Sequence, residues 1–339
     1  MSEAIGPGHD PAAIALTPIL SARYREQDLA RIRAAAPGAR IVSISLEGLA
    51  DGPLEDVEVL LRGPMPSATF DRLLARCPAL KWVHSATAGV ERVLTPSARE
   101  RGLLITNARG VFSDPIAEYI MTMILAVVRR FPELLELQQE RTWQPLPARE
   151  LRDVTIGIVG LGSIGRAVAR LATAFGSRVI ASRRDPDRGS SDGTGIPDGL
   201  DRIVSHDELP ELLAESDFVV LALPLTHTTD GLMGAENLAR MRSDAWLINV
   251  ARGRLVDQRA LVRALEAGRL GGAVLDTLIE EPLPPDSPLW TTPGLFITPH
   301  TSWSSGRVLD RSIELFCDNL AHFRAGRELE NSVDPSVGY

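Results

Sequence analysis

The segment Thr155–Gly165, TIGIVGLGSIG, restricts the possible folds of this chain more than any other stretch. It begins as a short apolar run typical of a buried strand and ends with Gly160, Gly162 and Gly165 in the spacing G-x-G-x-x-G. An amphipathic helix is predicted to follow at once, because apolar residues recur at helical spacing from Ile164 onward. A strand that turns into a helix in this way is the context in which the motif binds a dinucleotide, whereas the bare motif would also fit a structural turn.

Each glycine has a predicted task in such a site. Gly160 permits the sharp turn, Gly162 lets a pyrophosphate approach the backbone, and Gly165 lets the helix and the strand pack closely. The backbone N–H groups that open the helix, at Ser163 and Ile164, are then expected to face the phosphates.

The rest of the chain alternates strand-like and helix-like segments, which predicts parallel sheets covered by helices. The first series has predicted strands at Ala13–Leu16, Ile41–Ser45, Val57–Leu61, Leu80–His84 and Leu103–Thr106. The second has predicted strands at Thr155–Val159, Arg178–Ala181, Phe218–Leu223, Ala245–Asn249, Gly272–Leu275 and Leu295–Thr298. Only the second series contains the glycine motif, so we expect two different α/β domains.

Three helical patterns lie outside these series. A long apolar helix is predicted from Ser113 to near Arg130, and a more polar one over Leu134–Trp143. Val308–Arg324 is amphipathic, and its position suggests that the chain returns to the first domain. We therefore expect a first domain of residues 1–107 plus 305–339 and a dinucleotide-binding domain of residues 108–304.

Composition excludes several other classes of protein. A net charge of −8 argues against a partner that is nucleic acid or an anionic membrane surface. The longest nearly apolar run, Ile120–Val128, is too short to span a bilayer. Cys77 and Cys317 are far apart and form no metal-type motif, so neither a disulfide nor a metal is predicted. Since the N-terminal residues do not resemble a secretion signal, a cytoplasmic location is expected.

Several motifs between Asn107 and Trp303 occur in the order found in the D-isomer-specific 2-hydroxyacid dehydrogenases. They are AEY (117–119), GIVGLGSIG (157–165), LPLTHTT (223–229), INVARGRLVD (248–257), LDTLIEEPLP (275–284) and ITPHTSW (297–303). The chain thus resembles this family, in particular its glyoxylate/hydroxypyruvate reductases. The resemblance implies two Rossmann-like, doubly wound parallel-sheet domains with the active site in the cleft between them. It also implies a flavodoxin-like, substrate-binding first domain and a homodimer.

His300 is the predicted catalytic acid/base. It follows a predicted strand, and ligands of doubly wound sheets bind beyond the carboxyl ends of strands. A histidine there can exchange a proton near neutral pH, although a lone histidine in other contexts is more often structural. The resemblance implies the catalytic role, because His300 stands in the family's TPH motif.

Glu281 and Arg252 complete the predicted catalytic set. Glu281 matches the family glutamate that bonds the histidine, and a carboxylate beside an imidazole favours its protonated form. Both Glu280 and Glu281 could instead be solvated loop charges. Arg252 matches the family arginine, and a guanidinium can bind a carboxylate by two bonds while it polarises the adjacent carbonyl. The alternative is a surface ion pair, for which Arg254 is the better candidate.

Further cofactor contacts are implied by the resemblance. Asp276 is expected to contact the nicotinamide carboxamide, with help from the Val250 carbonyl. The matched motifs add Pro224, Thr229 and Ala251 to this set.

The residues after the second predicted strand of the dinucleotide domain favour NADP(H) over NAD(H). An NAD site usually places a carboxylate there to bind the ribose hydroxyls. This chain has Ser182, Arg183 and Arg184, and its first carboxylate is Asp185. A hydroxyl and two guanidinium groups would bind a 2′-phosphate. Since the chain is rich in arginine, the alternative is that Arg183 and Arg184 are ordinary surface residues and that the site binds NAD(H).

Substrate contacts are predicted in both domains. The small residues Ala88 and Gly89 expose backbone N–H groups that suit a carboxylate, and the family uses this loop. Arg62 ends an earlier strand and either reaches the substrate or is an ordinary surface arginine. Trp303 either lines the substrate pocket or packs on a helix. It departs from many family members, which have smaller residues there.

These residues predict an oxidoreductase that transfers a hydride between NADPH and a 2-oxoacid to give a D-2-hydroxyacid, glyoxylate and hydroxypyruvate being plausible substrates. One alternative is oxidation of a small oxyanion such as formate or phosphite, but formate-type relatives have glutamine in place of Glu281. Another is a dinucleotide-sensing regulator like the corepressor branch of the family. Trp303 is the one feature that favours it.

Overall fold

Two all-parallel β-sheets form the framework of the computed structural model, which describes residues 8–19, 24–184 and 199–334. One sheet lies in the unit formed by Met1–Phe112 and Ser305–Tyr339, and the other in the unit Ser113–Ser304. Both sheets have helices between their strands. The predicted fold class, two parallel-sheet α/β domains, is confirmed.

The first sheet has five strands in the order β2-β1-β3-β4-β5, which is the flavodoxin-like doubly wound arrangement. Its strands are β1 (Ala13–Leu16), β2 (Arg40–Ser43), β3 (Val57–Arg62), β4 (Trp82–Ser85) and β5 (Leu104–Asn107). Its first helices are α1 (Glu26–Ala35), α2 (Ser67–Arg76) and α3 (Pro96–Glu100). Strands β1 and β3 are buried along their whole length, which explains the unbroken apolar pattern of β1, whereas β3 also buries the charged residues Glu58 and Arg62.

The second sheet has seven strands in the order β12-β11-β10-β9-β6-β7-β8. Its strands are β6 (Thr155–Val159), β7 (Arg178–Ser182), β8 (Arg202–Val204), β9 (Phe218–Leu221), β10 (Trp246–Asn249), β11 (Gly272–Leu275) and β12 (Leu295–Ile297). Its helices are α4 (Ser113–Val128), α5 (Phe131–Gln139), α6 (Ser163–Ala174), α7 (Leu209–Glu215), α8 (Ala235–Arg240) and α9 (Gln258–Glu266). The strand order reverses between β6 and β9, and doubly wound sheets bind ligands at such a switch point.

The sequence prediction missed β8. This strand has three residues, of which Arg202 and Ile203 are half-buried, so it has neither an alternating pattern nor a continuous apolar run. The stretch directly before it, Asp185–Asp201, is rich in Gly, Asp, Ser and Pro, which predicts a surface loop, and it lies mostly outside the described residues.

The last helix, α10 (Val308–Arg324), packs on the first sheet. Phe316 and Phe323 both stack on Trp82 of β4, with ring centroids 5.4 Å away in each case. Such offset aromatic pairs stabilise a core beyond the area that they bury. Among the described residues, no helix is long and apolar enough to cross a membrane.

His84 lies in the same core, fully buried beneath α10. The hydroxyl of Thr106 accepts the Trp82 indole N–H at 2.9 Å and lies 2.7 Å from His84 Nδ1. Because a hydroxyl can both donate and accept, this bond forms with a neutral imidazole in either tautomer. Burial lowers the pKa of His84 to about 3, because a charged ring would lose its hydration.

Replacement of His84 by Asn should remove part of the acid sensitivity of this protein. The unfolded chain takes up a proton at His84 below about pH 6.5, whereas the folded chain does not until about pH 3. The free energy of unfolding therefore decreases as the pH is lowered from about 6.5 to about 3. The loss between pH 7 and pH 5 is about 2 kcal/mol. Urea unfolding at both pH values measures it, with the exposed His227→Asn as the control. An unchanged pH slope in His84→Asn would contradict the argument.

Candidate active site and cofactor-binding turn

The glycine turn after β6 has the geometry that the spacing predicts. Gly160 has φ +104°, and a Cβ atom there would lie 2.6 Å from the carbonyl oxygen of Ala222. A Cβ atom at Gly165 would lie 2.1 Å from the carbonyl oxygen of Gly160. At both positions a side chain would thus overlap the protein's own backbone. A Cβ atom at Gly162 would have no atom within 4 Å, which leaves open space at the start of α6 and fits a pyrophosphate.

The turn is tied to the neighbouring strand β7. The carbonyl of Ser182 accepts the N–H groups of Gly160 and Leu161, at 3.2 Å and 3.1 Å. Arg183 and Arg184 follow directly, the first half-buried and the second exposed, so this end of β7 is basic. Asp185, the first carboxylate of the sequence beyond it, lies outside the described residues.

The predicted cofactor loop after β9 is closed by one hydroxyl. Thr229 Oγ1 donates to the carbonyl of Pro224 at 2.8 Å and accepts the N–H of Thr226 at 2.8 Å. Its hydroxyl therefore has a structural partner, and its contact with a dinucleotide stays a prediction.

The three predicted catalytic residues follow three adjacent strands. Arg252 comes after β10, Glu281 after β11 and His300 after β12. Since these strands are parallel and hydrogen-bonded in that order, their carboxyl ends meet at one edge of the sheet.

His300 and Glu281 are in direct contact. His300 Nδ1 lies 2.9 Å from Glu281 Oε2, while the other carboxylate oxygen accepts the N–H of Leu278 at 2.8 Å. Glu280 has no such contact with the imidazole and is exposed. Because Nδ1 donates to the carboxylate, Nε2 is the ring nitrogen left to exchange a proton with a ligand.

The turn that carries His300 is held by Asp276, which follows β11 and is 1% exposed. Asp276 Oδ1 accepts the hydroxyl of Thr298 at 2.6 Å and the N–H of Thr301 at 2.8 Å. Oδ2 accepts the N–H of Ser302 at 2.9 Å. Sequence reasoning assigned Asp276 to the nicotinamide alone and missed this role. The available signal was an aspartate after one strand and a Thr/Ser-rich turn after the next.

Two aromatic residues also contact this turn. The indole N–H of Trp303 donates to the carbonyl of His300 at 2.7 Å, a contact that sequence reasoning did not predict. The hydroxyl of Tyr119 in α4 lies 2.6 Å from Thr298 Oγ1. Burial raises the pKa of Tyr119 to about 12, and the Asp276 carboxylate acts in the same direction. The phenol therefore keeps its proton at neutral pH.

The turn that carries Arg252 is built by Asn249. The Asn249 amide donates to the carbonyl of Arg252 at 2.9 Å, and its oxygen accepts the N–H of Ala251 at 3.1 Å. A Cβ atom at Gly253 would lie 2.1 Å from the carbonyl carbon of Leu278, so this turn presses against the loop that leads to Glu281.

Two predicted neighbours of Arg252 have different surroundings. Val250 is buried, so its side chain belongs to the core. Arg254 forms an ion pair with Asp230 at the surface, which confirms the surface ion pair expected of Arg254.

In the first unit, the loop after β4 directs its carbonyl groups into the protein. The carbonyl of Ala88 accepts the Asn107 amide at 2.9 Å, and that of Gly89 accepts the Thr87 hydroxyl at 2.9 Å. Within the part of the chain that the structure describes, no partner accepts the backbone N–H groups of Ala88 and Gly89. Such free N–H groups fit the predicted carboxylate contact.

Arg62 is 1% exposed, so its interpretation as a surface arginine is wrong. Its guanidinium donates to the carbonyls of Gly63, Met65 and Arg92 at 3.3, 2.7 and 3.1 Å, and lies 4.8 Å from the centroid of the Phe70 ring. Burial, together with the nearby Arg92 charge, lowers the pKa of Arg62 to about 10. Since carbonyls already accept several of its N–H groups, its contact with a substrate stays a prediction.

Comparison with known proteins identifies the class to which this fold and site belong. Residues 121–302 match the family described as D-isomer specific 2-hydroxyacid dehydrogenase, NAD binding domain. The chain belongs to this family, as its motifs predict, and its cofactor is a nicotinamide dinucleotide.

Particular relatives extend the similarity to both units. A glyoxylate reductase of Korarchaeum cryptofilum is 34% identical over 286 residues, which cover 82% of each chain. A D-isomer specific 2-hydroxyacid dehydrogenase of Xanthobacter autotrophicus Py2, solved with NADPH and MES, has a TM-score of 0.84 and 30% identity over 97% of this chain and all of the other. An NADPH-dependent glyoxylate/hydroxypyruvate reductase of Sinorhizobium meliloti, solved with NADP and sulfate, has a TM-score of 0.81 and 27% identity over 96% of this chain and all of the other.

Two substitutions in the glycine turn should separate folding from cofactor binding. Gly165→Ala should lower the free energy of unfolding by about 3 kcal/mol, because the new methyl group overlaps the Gly160 carbonyl. Gly162→Ala should leave the melting temperature unchanged and weaken NADPH binding, because its methyl group enters only the open space. Thermal unfolding and fluorescence titration with NADPH measure both effects. Unaltered NADPH affinity in Gly162→Ala would show that the pyrophosphate does not bind there.

Proposed function

We propose that this protein is a reductase that uses NADPH to convert a 2-oxoacid into the D-2-hydroxyacid, or that runs the reverse reaction. The observation that carries this proposal is the 2.9 Å contact between His300 and Glu281, at the sheet edge where Arg252 also emerges. An imidazole held by a carboxylate beside a guanidinium suits protonation of a carbonyl oxygen next to a carboxylate group.

Each residue of the set has a distinct task in this proposal. Arg252 binds the substrate carboxylate and polarises the neighbouring carbonyl, and the N–H groups of Ala88 and Gly89 provide further donors. Glu281 orients the His300 ring through Nδ1, so that Nε2 can donate its proton to the substrate oxygen. NADPH, when bound, supplies the hydride that reduces the carbonyl carbon. Trp303 excludes water from the substrate.

Glyoxylate and hydroxypyruvate are the proposed substrates. The names of the relatives support this, since glyoxylate reductases and glyoxylate/hydroxypyruvate reductases recur among them. NADPH is the proposed cofactor, because the basic residues Arg183 and Arg184 follow β7 and two of the similar structures contain NADPH or NADP. A cytoplasmic location is part of the same proposal.

A homodimer formed through α5 completes the proposal. None of the residues of this helix is buried, even its large apolar ones. Phe131, Leu134 and Leu135 are 53%, 39% and 44% exposed. Trp143, shortly after the helix, is fully exposed. A cluster of exposed large apolar side chains is typical of a protein–protein interface, and we propose a second copy of this chain as the partner.

The purified protein should oxidise NADPH in the presence of glyoxylate or hydroxypyruvate. His300→Ala should lower kcat by about a hundredfold or more, because the proton donor is lost, while NADPH binding stays intact. Arg252→Ala should lower kcat/KM by at least about tenfold, because a charged hydrogen bond to the carboxylate is lost. The absorbance of NADPH follows the reaction, and Arg254→Ala, which removes a surface ion pair, is the matched control. Absence of turnover with every 2-oxoacid tested would overturn the proposed function.

The arginine pair after β7 should determine the cofactor preference. Arg183→Ala and Arg184→Ala should each raise the Kd for NADPH by about tenfold, because each removes a charged donor to the 2′-phosphate, and should leave the Kd for NADH unchanged. Arg240→Ala is the control, because Arg240 pairs with Glu236 on the exposed side of α8. A wild-type protein that binds NADH more tightly would overturn the assignment of these arginines.

Leu134→Asp and Leu135→Asp should convert the dimer into a monomer at micromolar concentration, because a charge would lie in the apolar contact. Sedimentation velocity measures the change. Phe175→Asp is the control, since Phe175 is 51% exposed at the end of α6, away from the α5 residues in sequence. A monomeric wild-type protein would refute this part of the proposal.

A further inference from the structure

Two hydroxyl groups link helix α4 to the Asp276 carboxylate. Tyr119 Oη lies 2.6 Å from Thr298 Oγ1, and Thr298 Oγ1 lies 2.6 Å from Asp276 Oδ1. Tyr119 belongs to the AEY motif, to which the catalytic set described above assigns no task. Asp276 is buried, whereas Tyr119 and Thr298 are half-buried.

The direction of these hydrogen bonds follows from their chemistry. The Asp276 carboxylate can only accept, so the single proton of the Thr298 hydroxyl is donated to it. Thr298 Oγ1 is then free only as an acceptor, so Tyr119 donates to Thr298. The three groups form a chain of donors that ends on the carboxylate, and such chains strengthen each member bond.

The carboxylate at the end of this chain holds both sides of the His300 turn. It accepts the N–H groups of Thr301 and Ser302, while the Asp276 backbone carbonyl accepts the N–H of His300 at 2.9 Å. His300 has φ +50°, a conformation that a residue with a side chain keeps only when its surroundings impose it. Its side chain is 42% exposed, so packing contributes little to its position.

We propose that Tyr119 and Thr298 are positioning residues for His300, which act by fixing the orientation of the Asp276 carboxylate. The inference rests on the proposed function only in taking His300 as the proton donor. The two hydroxyls set where the carboxylate oxygens point, the carboxylate sets the turn, and the turn sets the imidazole against Glu281. This role is additional to the predicted contact of Asp276 with the nicotinamide, because Oδ2 accepts one donor and has a second lone pair free.

Four variants test the proposal. Tyr119→Phe and Thr298→Val each remove one hydroxyl from the chain and keep the shape of the side chain. Thr298→Ser keeps the hydroxyl and serves as the rescue. Tyr24→Phe is the matched control, because it removes another tyrosine hydroxyl, bonded to the carbonyl of Thr17 at 2.7 Å in the first unit.

The first measurement is the NMR signal of the His300 ring in the cofactor-free protein, assigned by its loss in His300→Asn. We expect it to shift or broaden in Tyr119→Phe and Thr298→Val, and to match the wild type in Thr298→Ser and Tyr24→Phe. The second measurement is glyoxylate reduction. We expect kcat to fall about tenfold in the first two variants, with KM and the NADPH Kd unchanged within about twofold. The double variant should be no worse than the poorer single variant, because both interrupt one chain.

Two results would overturn the proposal. One is a His300 signal in Tyr119→Phe and Thr298→Val that matches the wild type. The other is a rise in KM or in the NADPH Kd at unchanged kcat, which would assign the chain to ligand binding. The NMR measurement needs no turnover, so it separates this inference from the proposed function. A shifted signal in a protein that reduces no 2-oxoacid sustains the positioning role and overturns the proposed function alone.

Discussion

The parallel register of β9, β10, β11 and β12 is the constraint on which the candidate active site depends. Leu221, Asn249, Leu275 and Ile297 are consecutive partners across these strands, so all four strands end at one level. The loops that follow these strands therefore begin side by side at one edge of the sheet. The loops after β10, β11 and β12 carry Arg252, Glu281 and His300. A slip of one residue in any pair would turn its side chains to the opposite face of the sheet and separate this set.

Close approach of backbone to backbone turns that level edge into a defined site. The Gly160 turn abuts Ala222 at the point where the strand order reverses, and Gly253 abuts the carbonyl of Leu278. At each place a side chain would push two loops apart. The absence of a Cβ atom thus allows the glycine turn and the loops that carry Arg252 and Glu281 to lie where they do. Helix α6 is seated by the same means, because Gly165 contacts the Gly160 carbonyl.

Much of this arrangement could be predicted because the determining signals are local. The strands β6 and β11 stand out as short apolar runs, and their predicted first and last residues agree with the observed ones. The amphipathic period of α10 likewise predicted both ends of this helix. The match to the family motif also assigned Glu281 to the histidine, and Glu281 is the residue that contacts His300. The short strand β8 was missed because three residues that are only partly buried leave no periodic pattern.

The sequence by itself determined the α/β class, the positions along the chain of all strands of the two sheets except β8, the glycine turn and the identity of the residues at the strand ends, since each is set by residues close together in the chain. Only the tertiary structure decided what surrounds them. Arg62 is the last residue of its strand, a position that is equally compatible with a surface arginine. The structure buries it, and its guanidinium bonds the carbonyl groups of Met65 and Arg92. Asp276 matches a cofactor contact, yet its carboxylate also accepts hydrogen bonds from Thr298 and from the N–H of Thr301 in a turn more than twenty residues away, and Thr298 in turn contacts Tyr119. These partners meet because distant segments pack together, and no local pattern of residues records which donors a buried charge will find.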